Sequence, residues 1–134
     1  MFFAPIRKNI FISHAWNYND DYYTIIEWLD RSLILYHNYS VPEHDPVDAK
    51  NTVKLKKALT EQMKHASIVI IIAGMYASHS NWIQYEIDEA VRMGKKIIAI
   101  KPRGNKRIPV EVQKAAHKIV NWNSTALVDA VKEI

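Results

Sequence analysis

Along the chain, apolar positions alternate between short continuous runs and a three-to-four spacing, the two patterns expected of buried strands and amphipathic helices. Asn9-Ile10-Phe11-Ile12-Ser13 reads as a first strand and is followed by a polar segment that includes His14 and Asn17 to Asp20. From about Asp21 to Leu35, Tyr22, Ile25, Ile26, Leu29 and Leu33 mark one face of a helix. Asn38-Tyr39-Ser40-Val41 is a brief edge strand, and Pro42 to Pro46 is a loop that its two prolines keep from becoming helix. Between roughly Asn51 and His65, Leu55, Ala58, Leu59 and Met63 share a face, while Lys54, Lys56, Lys57, Glu61 and Lys64 lie elsewhere as a solvated surface.

The run Ile68 to Gly74 is almost uninterrupted and rich in β-branched residues, as a central strand buried on both faces requires. A helix beginning near Asn81 then buries Ile83, Ile87, Ala90 and Val91 and stops at Gly94, a natural left-handed cap. On that helix Trp82, Glu86 and Glu89 form a neighbouring stripe toward the rim. Lys96 to Ile100 is a fourth strand, Pro109 to Ala116 a short helix, Lys118 to Trp122 a fifth strand and Ser124 to Ile134 a closing helix with Leu127, Val128 and Val131 inward. Strands alternating with helices predict an α/β domain with a flavodoxin-like, five-stranded parallel sheet and helices on both faces. The 134 residues form one domain, with a core of about 9–121 and the closing helix 124–134.

Composition narrows the field. Hydrophobic residues at 49% and charged residues at 24% are those of a folded soluble protein, and the formal charge of +4 comes from lysines and arginines spread along the chain. That balance favours anionic partners, including dinucleotides, and without a dense basic run no specific nucleic acid is expected. With no cysteine there is no disulfide, thiolate nucleophile or Cys-based zinc site, and the six histidines show no metal-ligand spacing, so no metal is expected. No run approaches a membrane span, and the start lacks the form of a secretory signal, so a cytoplasmic location is expected. Phosphate-binding glycine loops and the Gly-x-Ser-x-Gly turn are absent, which removes the usual anchors of nucleotide triphosphatases, Rossmann dehydrogenases and α/β-hydrolases. The first strand ends in Ser13-His14 where a two-component receiver domain needs acidic residues for magnesium.

The candidate site lies at the carboxyl ends of the strands, where open α/β sheets bind ligands. It takes Ser13, His14, Trp16 and Asn17 from the first loop, His44 and Asp45 from the second, and Tyr76, Trp82 and Glu86 from the third. Trp82 and Glu86 are four apart, so a helix places an aromatic plate one turn from a carboxylate. Aromatic faces, carboxylates and a histidine on one rim suit a flat base and ribose hydroxyls. A plainer account exists: a glutamate near a helix start is favoured by the helix dipole, and Asn81 with Gln84 spells a capping box.

Phe11-Ile12-Ser13-His14, the strand Ile68 to Ala73, Tyr76-Ala77-Ser78, Ser80-x-Trp82-x-x-x-Glu86-Ile87 and Gly94-Lys95-Lys96-Ile97-Ile98 together carry a family resemblance. The chain from about Asn9 to Val120 resembles the Toll/interleukin-1 receptor (TIR) superfamily. More narrowly, it is similar to bacterial and archaeal TIR-like proteins that include the signalling subunit of Thoeris antiphage defence. The resemblance implies cleavage of NAD⁺ at the nicotinamide–ribose bond, with NAD⁺ as substrate and no separate cofactor. It makes Glu86 the catalytic glutamate, stabilising the positive charge that develops on the ribose, in the logic of glycoside hydrolysis. Trp82 and Tyr85 would partly desolvate it. The product would be an ADP-ribose-derived signal, a cyclic isomer or an ADP-ribosyl conjugate, read by a separate effector protein after a phage-derived trigger. A homo-oligomer is also implied, although the loop Pro42 to Pro46 departs from the longer, glycine-containing assembly loop of animal and plant members. The competing expectations are a non-enzymatic TIR-like adaptor and, behind it, a nucleoside glycosyl-transfer enzyme of related fold.

Overall fold

The computed structural model describes residues 7–13, 19–40, 52–104 and 107–134. The strands are β1 (Arg7–Ile12), β2 (Leu35–Asn38), β3 (Ile68–Ile72), β4 (Lys96–Ile100) and β5 (Lys118–Val120). The helices are α1 (Asn19–Arg31), α2 (Thr52–His65), α3 (Tyr76–Arg92), α4 (Val110–Ala115) and α5 (Ser124–Glu133). All strand pairs are parallel and the order is β2-β1-β3-β4-β5. That is the flavodoxin-like sheet that the alternating pattern predicts. Right-handed crossovers then put helices on both faces, and α1 packs beside α5 while α2 and α4 flank α3.

Position in the sheet explains composition. Every residue of β3 is buried, because β1 and β4 flank it and helices cover both faces. The edge strand β2 carries a mixed and largely exposed sequence. It pairs with β1 from Arg7–Leu35 to Ile10–Asn38, three residues earlier than the expected strand at Asn38 to Val41. Val41 and the loop Pro42 to Pro46 lie outside the described residues. Tyr39 and Ser40 instead follow the strand: Tyr39 N–H donates to Ile10 O, and Ser40 Oγ accepts from Ile12 N–H at 2.9 Å.

Two helical expectations are corrected. The first helix ends at Arg31, and Leu33, assigned to its buried face, is 88% exposed. The reason is local: Ser32 Oγ bonds back to Leu29 O and accepts from Ile34 N–H, which closes the helix in a turn before Leu33. Val91, assigned to the inner face of α3, is also exposed, since the inner stripe is Ile83, Ile87 and Ala90. Gly94 does end that helix with φ +69°, a left-handed conformation that costs glycine nothing.

Candidate active site at the carboxyl end of the sheet

The β1–β3 pair is where strand order reverses, so the crevice beyond their carboxyl ends is the topological switch point of the sheet. Ser13 follows directly on β1 and is fully buried, its N–H donating to Ile70 O of β3 at 2.8 Å. Beyond β3 a single 3₁₀ turn, Ala73–Met75, leads into α3. Gly74 allows that turn: a Cβ there would sit 3.3 Å from Pro102 Cβ, in the segment after β4. With no Gly or Pro between Tyr76 and Arg92, nothing delays the helix, and it begins five residues before the expected start at Asn81. Asn81 is therefore a helix-interior residue, and the capping-box account of Gln84 fails. Gln84 instead donates to Asp88 one turn on, at 2.8 Å.

The larger correction concerns Glu86. Expected on a rim stripe, it is only 3% exposed and shares the buried face of α3 with Ile83, Ile87 and Ala90. A carboxylate removed from water resists ionisation, and burial pushes the Glu86 pKa up to about 8. The nearby Ser13 hydroxyl acts in the opposite sense, favouring the ionised form, but more weakly. That influence comes from proximity rather than a closed bond: neither Ser13 Oγ nor Glu86 Oε2 completes a hydrogen bond with any described residue. Two polar atoms buried side by side without partners are unusual, because each such atom costs about 1–3 kcal/mol.

Trp82, one turn before Glu86, is partly buried and packs against the core, so the aromatic plate and the carboxylate stay on one side of α3. Tyr85 does not join them. Its hydroxyl is held at α2, 2.6 Å from Thr60 Oγ1 and 3.1 Å from Lys56 O, so the expected desolvation of Glu86 by Tyr85 is not what this geometry provides. Tyr76 opens α3, but its side chain is outside the description, and His14, Trp16, Asn17, His44 and Asp45 lie outside the described residues altogether. The structure thus brings together Ser13, Glu86 and, one turn away, Trp82.

Glu89 was expected beside Glu86 on the rim and instead belongs to a polar cluster against α2. Arg92 and Thr60 hold its carboxylate, and they keep its pKa below the usual range. The signal for this was in the spacing Tyr85-x-x-x-Glu89-x-x-Arg92, a single stripe of α3, but its partner Thr60 on α2 is a tertiary fact. Among the described residues no three His, Asp or Glu side chains gather to hold a metal ion, and no helix is long and apolar enough to cross a membrane.

Comparison with known proteins adds the family. Two solved structures share the fold. A pilus assembly-related protein of Burkholderia pseudomallei aligns over 99% of this chain and 92% of its own at 14% identity and a TM-score of 0.55. A CMP N-glycosidase of Clostridium botulinum aligns over 92% of this chain and 97% of its own at 12% identity and a TM-score of 0.53. No curated protein matches the sequence. A family model for the TIR-like domain of the Thoeris protein ThsB matches residues 11–107, which span β1 to the segment after β4 and include Ser13, Trp82 and Glu86. The chain therefore belongs to the Thoeris ThsB TIR-like family of antiphage-defence proteins.

Proposed function

We propose that this protein cleaves NAD⁺ at the nicotinamide–ribose bond and passes the ADP-ribosyl group to an acceptor that makes it a signal for a separate defence effector. The observation that carries the reading is the buried carboxyl of Glu86 at the switch point of the sheet beside Ser13, its Oε2 without a hydrogen-bond partner among the described residues. A buried carboxyl that forms no ion pair among the described residues is a poor structural device, and perturbed groups of this kind concentrate at reacting centres. The fold relative named as a CMP N-glycosidase is a further support, since a protein of this fold is named for N-glycosidic chemistry on a nucleotide.

The chemistry follows from charge. Breaking the nicotinamide bond leaves positive charge on the ribose, and a carboxylate in a low-dielectric crevice stabilises it far better than one in water. Glu86 must be ionised to do this, yet burial keeps it protonated at neutral pH in the free protein. The pyridinium of NAD⁺ supplies an opposite charge that favours loss of that proton, so substrate binding itself arms the carboxylate. Trp82 offers a flat face for the base, and Ser13, His14, Trp16, Asn17, Asp45 and Tyr76 are assigned to substrate binding. Neutral nicotinamide leaves without an acid catalyst.

The test is incubation of the protein and Glu86→Gln with NAD⁺, with and without extract of phage-infected cells, followed by mass spectrometry of the nucleotides. Nicotinamide release that is lost by at least about a hundredfold in the variant is expected, with the companion product naming the acceptor. In the wild type, kcat/KM should rise with pH as Glu86 ionises, levelling above about 8, since that parameter reports the free enzyme. No turnover under any condition, with both proteins folded, would favour an adaptor that works by protein contact.

A further inference from the structure

The helix that presents Glu86 is gripped from its α2 side by side chains that the proposed reaction does not use. Thr60 Oγ1 of α2 donates to Glu89 Oε1 at 2.8 Å. Arg92 holds the same carboxylate through Nε at 2.5 Å and Nη2 at 3.1 Å. The Tyr85 hydroxyl lies 2.6 Å from Thr60 Oγ1, within reach of Lys56 O at 3.1 Å and Glu89 Oε1 at 3.4 Å. An ionised Glu89 can only accept, so Thr60 commits its one proton there, and the short contact with Tyr85 is then donated by Tyr85. Lys56 Nζ sits 5.3 Å from the centre of the Tyr85 ring and closes the cluster from above.

Helical geometry gives this cluster a consequence. Residues three apart are separated by about 60° around a helix, so Glu86 and Glu89 are neighbouring carboxylates, and a modest rotation of α3 changes which of them faces the crevice. On the apolar side Ile83, Ile87 and Ala90 are buried, and burial by itself sets the rotation of a helix less sharply than a directional bond does. The hydrogen bonds to Thr60 do have direction. We propose that Thr60, Tyr85, Glu89 and Arg92 form a clamp that fixes the rotation of α3 and commits Glu86, rather than Glu89, to the crevice, with Thr60 as the central positioning residue. This rests on the reading of Glu86 as the reacting carboxylate, but it can be tested without turnover. Among the described residues, the hydroxyl of Ser13 is the polar group from β1 that acts on Glu86. The charges of Glu89 and Arg92 belong to the stripe of α3 that bonds α2, and Lys56 belongs to α2 itself.

The experiment is carbon-13 NMR of the Glu86 carboxyl in the 134-residue protein, assigned by its loss in Glu86→Gln, followed through a pH titration. Thr60→Val keeps the shape and removes the hydroxyl, while Thr60→Ser keeps the hydroxyl. With the clamp open, Glu86 gains water, and its midpoint in Thr60→Val should fall by about one pH unit and return in Thr60→Ser. In the turnover assay Thr60→Val should lose about tenfold in kcat with little change in KM. A folded Thr60→Val whose Glu86 titrates as in the wild type would overturn the clamp, as would an equal fall in Thr60→Ser, which would assign the effect to packing. A wild-type protein inert toward NAD⁺ would overturn the reading of Glu86 alone, because the titration decides the clamp by itself.

Discussion

Helices α3 and α5 do the same job for different strands, each following one in the parallel sheet and burying one face against it, yet they are built to different standards. In α5 the buried residues are Leu127, Ala130 and Val131, all apolar. Its first turn is closed by the Asn123 side chain, which accepts from Ala126 N–H at 2.7 Å. Its charged end is tied outward, Lys118 to Glu133, and Lys8 Nζ donates to the Ile134 carbonyl. Helix α3 places Glu86 among Ile83, Ile87 and Ala90 and leaves its Oε2 without a hydrogen-bond partner among the described residues. One helix is arranged for stability, and the other gives some of it up at the residue assigned to chemistry, the trade expected where a site is built into a core.

The two helices should differ most in how they respond to pH. The Glu86 pKa is raised from 4.5 to about 8 on folding, so the folded state holds a proton that the unfolded state releases. Stability from that proton is complete below about 4.5 and is lost as pH rises toward 8, at about 1.4 kcal/mol per unit and at most roughly 5 kcal/mol in all. Glu86→Gln has no such titration. Its unfolding free energy should match the wild type near pH 4 and exceed it by several kcal/mol above pH 8, measured by denaturant titration across pH. Parallel curves for the two proteins would mean that Glu86 is not a cost to the fold. The same variant is expected to lose NAD⁺ cleavage, so stability and activity should move in opposite directions.

Leu127→Ala should show the reverse pattern. The side chain is fully buried on α5, so truncation should cost about 2–5 kcal/mol of stability, while cleavage of NAD⁺ at temperatures where the protein stays folded remains near wild type. A smaller effect of the same kind is expected at the cap, where Asn123→Ala frees the Ala126 N–H and should cost about 0.5–2 kcal/mol. Loss of activity in either folded variant would mean that α5 is coupled to the site.

The parts of this structure that could be read in advance are those set by local pattern. The isoleucine-rich run of β3, the strand Lys96–Ile100 and the stripes Leu55, Leu59, Met63 and Leu127, Val131 required only that apolar residues be buried at the right period. The errors fall where a tertiary partner decides. Leu33 lost its place on α1 to a serine-closed turn, and the edge strand slid to Leu35–Asn38 because register is set by β1. At the site, the i, i+4 relation of Trp82 and Glu86 was legible, but the depth of Glu86 was not. A glutamate in an apolar stripe looks like a misfit that should face water, and periodicity alone assigns it outward. Its burial goes with a tertiary contact that periodicity does not show, α2 holding the next carboxylate, Glu89, through Thr60 across 29 residues.

Two serines on the same strand neighbourhood refine the contrast at the smallest scale. Ser40 Oγ accepts from Ile12 N–H and donates to Asn38 Oδ1, so its hydroxyl is fully used. Ser13 is more deeply buried, and its hydroxyl has no described hydrogen-bond partner. Removing a used hydroxyl strands the Ile12 N–H, and Ser40→Ala should cost about 1 kcal/mol. Removing an unused one strands nothing, so Ser13→Ala should be neutral or slightly stabilising in denaturant titration. Its effect should appear in chemistry instead. Ser13 favours the ionised form of Glu86, so without it the Glu86 titration moves further up, and kcat/KM for NAD⁺ at pH 7 should fall a few-fold. The part of the loss that comes through Glu86 should vanish at a pH high enough to ionise it in both proteins, leaving only the part that comes from substrate contact by Ser13. If Ser13→Ala instead destabilised the fold as much as Ser40→Ala, its hydroxyl would be a structural bond, and the contrast between the two serines would fall.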